Sequence, residues 1–263
     1  MKIDLTGRVA VVSGASAGIG RAIAEGLAEA GAHVVVGSRR GDAIEQAAAE
    51  IAGKTGRRTV GVAADVAHPD GVQRLLGAAA DAFGRLDILV CNAGGPPPGS
   101  GLTLTDAQWD QAFQQNFMSA VRLIRGAVGP MTAQGGGRIL TVITSGVKVP
   151  IPTLVLSNVF RSGVVALTKT LSFELAPHKI LINNLAPGRI RTTRVRVVDE
   201  ATAKAAGKSV EEVEKESVAQ IPAGRYGDPR EFANVAVFLA SDQASYVTGT
   251  TILIDGGGTR SMM

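Results

Sequence analysis

The sequence predicts an α/β fold: a doubly wound, Rossmann-like parallel sheet with helices on both faces. Three observations carry that expectation. Short β-branched apolar runs alternate with longer helical patterns along most of the chain, the signature of βαβ units joined by right-handed crossovers. The first strand–helix junction is a glycine-rich turn, Ser13-Gly14-Ala15-Ser16-Ala17-Gly18-Ile19-Gly20. Finally, the 263 residues contain no proline- or serine-rich linker, repeat or low-complexity tract, so residues 1–263 are expected to form one domain.

The first strand is expected at Val9–Val12, an apolar run of the kind buried in parallel sheets. A helix follows from about Gly18. Gly14, Gly18 and Gly20 let the backbone turn and approach a ligand without a Cβ in the way, with Ser16 and Ile19 between them. The unpaired amides and positive dipole end of the new helix suit a pyrophosphate. The spacing is GxxxGxG, distinct from the commoner GxGxxG dinucleotide fingerprint.

A second apolar run, Ala32–Val36, ends in Gly37-Ser38-Arg39-Arg40. In a doubly wound sheet this strand end meets the adenosine ribose, where an acid selects NAD and an arginine accommodates the 2′-phosphate of NADP. Ser38 stands where the acid would be and Arg39 follows it, which favours NADP(H) and leaves NAD(H) as the alternative. Next come a helix (about Asp42–Ala52), a strand (Thr59–Ala63) with Asp65-Val66 behind it, and a helix (Asp70–Phe83). A strand at Leu86–Val90 then runs into Cys91-Asn92-Ala93-Gly94. Gly14, Ser38, Asp65 and Asn92 should therefore converge beyond the carboxyl ends of the strands, where ligands of such sheets bind.

Composition narrows the class. A net charge of +4 is dispersed and lacks the long basic stripe with stacking aromatics of a nucleic-acid surface. Cys91 is the sole cysteine, which excludes an intrachain disulfide and cysteine metal clusters. His33, His68 and His178 show no metal-ligand spacing, so no metal is expected. The start, MKIDLTGRV, has no signal-peptide core, and no apolar run approaches the ~20 residues of a membrane helix. A cytoplasmic protein without membrane or nucleic-acid partners is expected.

These segments resemble the short-chain dehydrogenase/reductase family, and in particular a divergent subgroup similar to the 3-oxoacyl-ACP reductases. SGASAGIG, Asp65-Val66 and Cys91-Asn92-Ala93-Gly94 look like its cofactor half. Asn116, in a long helix expected at Asp106–Ala133, matches its active-site asparagine. Pro187-Gly188-Arg189-Ile190-Arg191-Thr192 is similar to its PGxxxT segment, and Arg225–Pro229 and Val247–Gly257 to its C-terminal signatures. The likeness runs from about Asp4 to Gly257. It implies a seven-stranded parallel sheet, a nicotinamide cofactor contacted by the PGxxxT segment (Pro187, Gly188, Ile190, Thr192), and assembly as a homotetramer or homodimer.

The family's chemistry uses a serine, a tyrosine and a lysine, the last two as YxxxK on one helix. Residues four apart on a helix face the same way; the ammonium lowers the phenol's pKa, and the phenol trades a proton with the carbonyl oxygen. Here the matching helix starts near Leu156, and the aligned positions carry Ser157 for the tyrosine and Arg161 for the lysine. The only tyrosines are Tyr226 and Tyr246. Either Thr144 or Ser145, expected to end the fifth strand, supplies the serine-type hydroxyl; Ser145 is preferred. Arg161 stays charged and can hold a ribose hydroxyl or an oxyanion, but is a poor proton shuttle. Ser157 is too weak an acid to donate without a relay. Lys148 as a displaced ammonium and a water held by Asn116 are alternative proton sources.

Arg189–Gln220 is expected to cover the substrate as a charged helical lid, within which Arg191, Arg194 and Arg196 are either solvated or bind an acidic group. The expected function is an NADP(H)-dependent oxidoreductase interconverting a small-molecule carbonyl and alcohol through Asn116, Ser145, Ser157 and Arg161. The alternatives are a nucleotide-binding sensor or scaffold and a non-redox enzyme on the same fold.

Overall fold

The computed structural model describes residues 3–262. Alternation within the strands decides how the layers form. In β1 (Val9–Ser13), Ala10 and Val12 pack on one face of the sheet and Val9 and Val11 on the other. β2 (His33–Ser38) repeats the arrangement, with Val34 and Val36 opposite Val35. Both faces are buried, as a parallel sheet requires. With β3 (Thr59–Ala63), β4 (Ile88–Cys91), β5 (Gly137–Val142), β6 (Ile180–Pro187) and β7 (Thr251–Ile254), they form one all-parallel sheet. The strand order is β3-β2-β1-β4-β5-β6-β7. The order reverses beside β1, which puts the topological switch point, and the ligand crevice of such sheets, between the β1 and β4 loops.

On one face lie α1 (Gly18–Glu29), α2 (Gly41–Thr55) and α9 (Pro229–Ala240), packed through Ile23, Leu27, Ile44, Ile51 and Phe232. On the other lie α3 (Pro69–Phe83), α5 (Ser119–Ala133) and α6 (Val155–Leu175), packed through Leu75, Leu123, Ile124, Met131 and Val164. α4 (Asp106–Phe113) leads into α5, and α7 (Thr193–Ala206) and α8 (Val210–Ala219) follow β6. No helix among the described residues is long and apolar enough to cross a membrane.

Three differences from expectation bear on the fold or the site. The fourth strand starts at Ile88, not Leu86, because Asp87 turns its carboxylate to the Val9 amide (2.9 Å) and the Arg85 guanidinium (2.7 and 2.8 Å). The fifth strand ends at Val142, and Thr144 instead caps a 3₁₀ turn at Ser145–Val147, accepting from the Gly146 amide (3.2 Å). The expected helix Asp106–Ala133 contains a wide π-helical turn at Gln114–Met118, a device often found at functional sites, and Asn116 sits in it.

Candidate active site

The glycine-rich turn forms because nothing larger fits. Gly14 has φ +61°, and a Cβ there would lie 2.7 Å from the Asn92 carbonyl oxygen; one on Gly20 would run into the Gly14 carbonyl. Polar bonds lace this turn to the end of β4. Asn92 donates from Nδ2 to the Gly14 carbonyl (3.0 Å), while the Ser13 hydroxyl donates to the Asn92 carbonyl (2.8 Å) and accepts from its amide (3.0 Å). The N-terminus of α1 carries no side-chain cap and no acidic residue in its first turn. Its amides are left for an anion.

A cavity of about 930 Å³ runs from this turn across the carboxyl ends of β4, β5 and β6. Of the expected residues, Gly14, Gly18, Ile19, Gly20, Asn92, Ala93, Gly94, Thr144, Ser145, Ser157, Arg161, Pro187, Gly188, Ile190 and Thr192 line it. Thr192 caps α7 through the Val195 amide (3.3 Å), and its methyl lies so close to Gly18 that a Cβ there would meet it at 3.4 Å. Ser16, Ser38, Arg39, Asp65, Val66, Asn116 and Lys148 are not in this wall. Ser38 and Arg39 lie at the exposed end of β2, beside Gly37, whose carbonyl takes the Ala15 amide (3.0 Å). Asp65 follows β3 next to them and fastens its own loop through the Ala67 amide (3.1 Å). Arg122 of α5 holds that loop from below, donating to the Ala67 carbonyl (2.8 Å).

Ser157 and Arg161 sit one turn apart on α6 and face the cavity, 6% and 7% exposed. Neither the Ser145 nor the Ser157 hydroxyl is engaged by another side chain or backbone group among the described residues. The Arg161 guanidinium donates to the Val142 carbonyl, the Ala93 carbonyl (3.1 Å) and Asn116 Oδ1 (3.2 Å). Asn116 Nδ2 in turn donates to the Ala112 carbonyl (3.2 Å). Asn116 therefore stands behind Arg161 and is not in the cavity wall. Burial, and then the charge of Arg194, pull the Arg161 pKa down to about 10, so the cation persists at neutral pH. Cys91 is buried and its thiol is pushed up by desolvation, which leaves it a packing residue.

The charged residues of the wall are Arg161, Arg189, Arg194, Arg260 and Asp255; no histidine, lysine, glutamate, cysteine or tyrosine lines it. Among the described residues no cluster of metal-ligating side chains occurs.

The chain matches the family model described as enoyl-(acyl carrier protein) reductase over residues 14–259. It belongs to the short-chain dehydrogenase/reductase family. Among curated members of this family, it is 36% identical over 260 residues to dehydrogenase/reductase SDR family member 4 of Sus scrofa, covering 98% of this chain and 89% of that one. It is 35% identical over 257 residues to the 3-oxoacyl-[acyl-carrier-protein] reductase of Vibrio cholerae, covering 97% and 98%. Among solved structures, L-sorbose reductase from Gluconobacter frateurii, complexed with NADPH and L-sorbose, superimposes with a TM-score of 0.94 at 35% identity over 100% of both chains. A 7α-hydroxysteroid dehydrogenase complexed with NADH and a 7-oxo bile acid does so with 0.90 at 30% identity, over 100% of this chain and 98% of that one.

One site residue escaped sequence reasoning, and among the three lid arginines only the structure tells which one turns inward. Ser13, buried in the last position of β1, fixes the Asn92 loop, and nothing in its apolar context signals a polar role. Arg194 turns into the cavity and donates to the Pro96 carbonyl (2.8 Å), whereas Arg191 and Arg196 pair at the surface with Glu214 and Glu200. The helical phase of α7 separates them, but that phase could not be read from a segment so rich in arginine.

Proposed function

We propose that the chain is an NADP(H)-dependent oxidoreductase that interconverts a carbonyl and an alcohol, with Ser157 and Arg161 in place of the family's tyrosine and lysine. The observation that carries the reading is one continuous cavity joining an uncapped helix N-terminus, a glycine cradle, two free hydroxyls and a buried cation. Its volume is on the scale of a cofactor-and-substrate site. The amides at Gly18–Gly20 would hold the pyrophosphate, and the segment from Pro187 to Thr192 the carboxamide end. Arg39, exposed beside Ser38, would take a 2′-phosphate. The NADPH of the sorbose reductase complex supports this choice, and the NADH of the steroid dehydrogenase complex keeps NAD(H) as its competitor.

When bound, the nicotinamide would supply hydride to a carbonyl carbon, or accept it back. Ser145 and Ser157 would hold the carbonyl oxygen; Thr144 is less suited because its hydroxyl already accepts from the Gly146 amide. Arg161 would stabilise charge developing on that oxygen at short range in a low-dielectric site. The oxygen would then take its proton from water, since serine is too weak an acid to give it directly. Residues 189–220 would form the lid of the site within a single domain spanning the chain. The family likeness adds the expectation of a cytoplasmic homotetramer or homodimer.

The test is a titration with NADPH and with NADH, followed by stopped-flow absorbance with a panel of ketones. Tight NADPH binding with single-turnover hydride transfer is expected. Tight binding with transfer to no carbonyl would turn the reading to a nucleotide sensor or a non-redox enzyme.

A further inference from the structure

The charges around the cavity do not balance. Of its four arginines, Arg189 is paired with buried Asp199. Asp255, the one acid in the wall, spends its oxygens on the Gly257 and Thr259 amides (3.0 and 2.8 Å). Arg161 and Arg194 have no carboxylate partner among the described residues, and all their hydrogen bonds go to neutral oxygens. A guanidinium that is 7% exposed and unpaired is a costly arrangement unless an anion completes it.

The two arginines also fasten the same stretch of chain. Arg161 donates to the Ala93 carbonyl and Arg194 to the Pro96 carbonyl, so they brace one short loop from two elements, α6 and α7. Three residues of chain span at most about 10 Å. Between these anchors, Gly95 is pressed so tightly against Arg194 that a Cβ would lie 2.9 Å from its Nη2. Burial lowers the pKa of each, and the charge of Arg194 adds to that effect on Arg161, which places the two in one electrostatic field.

The anions of a dinucleotide do not account for this pair. A pyrophosphate has the α1 amides and a 2′-phosphate has Arg39. The free hydroxyls of Ser145 and Ser157 line the same cavity as the two arginines, and Val149, Ile151, Leu154, Val195 and Val198 give it apolar surface.

We propose that Arg161 and Arg194 form a two-guanidinium seat for a substrate carboxylate, which makes the substrate a short aliphatic oxo acid or the corresponding hydroxy acid. The planar fork of arginine suits a carboxylate in two-point contact. An oxo acid carries its carbonyl beside its carboxylate, so Arg161 would lie between the two, shared by the carboxylate it holds with Arg194 and the carbonyl oxygen it steadies with the serine hydroxyls. This inference rests on the oxidoreductase reading for the identity of the reacting carbonyl, but not for the anion seat itself.

The test is a calorimetric titration of the full chain, with and without saturating NADPH, using malonate and its uncharged counterpart dimethyl malonate. Malonate should bind roughly tenfold or more tightly than the diester. Arg194→Gln should abolish that difference, and Arg194→Lys, which keeps a donor for the Pro96 carbonyl, should retain part of it. Equal affinity for the two probes, or malonate affinity indifferent to Arg194→Gln in a folded protein, overturns the proposal. Hydride transfer to acetoacetate and to methyl acetoacetate keeps the two readings distinct. Transfer to both with no preference for the acid defeats the carboxylate seat alone. Transfer to neither, with malonate still bound through Arg194, defeats the oxidoreductase reading alone.

Discussion

Arg161 on α6 donates to Asn116 Oδ1 in the π-helical turn at 3.2 Å, and Asn116 has no place of its own in the cavity wall. In the proposed reaction the two would act as a unit, with the arginine as the working group and the asparagine as its support. Arg161→Ala should lower kcat/KM by roughly 100-fold or more, on the scale of losing one oxyanion-stabilising donor. Asn116→Ala should cost less, and the double variant no more than Arg161→Ala alone, because neighbours in one network are not additive. Steady-state kinetics on the three variants checks this; fully additive losses would mean that Asn116 has an independent role.

Gly14 is the position where the cradle is least tolerant. Gly14→Ala combines a φ of +61° with a Cβ placed 2.7 Å from the Asn92 carbonyl. It should cost roughly 1–2 kcal/mol in stability and weaken NADPH binding by more than tenfold. Thermal melting and calorimetry read the two effects separately.

Arg39→Asp should weaken NADPH binding far more than NADH binding, by roughly tenfold or more in the ratio of the two dissociation constants. The side chain is exposed, so melting should stay unchanged. Equal effects on both cofactors would remove Arg39 from 2′-phosphate recognition.

Ser157→Tyr together with Arg161→Lys should raise reduction of uncharged ketones, by ~100-fold or more if general acid catalysis is what the wild-type wall lacks. The phenol has room, since Ser157 opens directly on the cavity. A folded double variant without gain would show that the substrate pocket has diverged as well.

Asp87 is 2% exposed, and its carboxyl sits below the usual carboxylate range. Burial pushes it up, but the Arg85 guanidinium, the Val9 amide and Arg8 together outweigh that push. Because its folded pKa is depressed, its stabilisation is present above the unfolded value of about 3.9 and is lost as pH falls through the folded one. Asp87→Asn should lose roughly 1–3 kcal/mol near pH 7. Melting curves of the two proteins should begin to approach each other below about pH 4 and meet only once the pH has passed below the depressed folded value.

Much of the fold was legible because it depends on local pattern. Val9–Val12 and the glycine turn state a buried strand and a tight junction, and alternation does the rest for a parallel sheet. What stayed hidden depends on contacts across the sequence. Asp87 ends a strand early because of Arg85 and the β1 amide, and the wide turn around Asn116 follows from no residue preference within Gln114–Met118. At the site, the glycines of SGASAGIG and the CNAG segment mark a turn and a strand end that meet, and the one-turn spacing of Ser157 and Arg161 puts both on the cavity side of α6. The inward turn of Arg194, and the use of Asn116 as a support, emerge only when α6, α7 and the loop at 93–96 meet.

The composition of the cavity wall has a kinetic consequence. A bell-shaped rate profile reports an acid and a base that change charge in the working range; this wall has no histidine, cysteine, lysine, glutamate or tyrosine to draw either limb, and its one acid, Asp255, is tied to two backbone amides. The protein would turn over on a plateau across neutral pH, its slopes set by the ionisation of the substrate and the supply of solvent protons. Within that plateau such an enzyme would respond little to the acidity of its surroundings, and its rate would instead follow how readily water reaches the reacting oxygen.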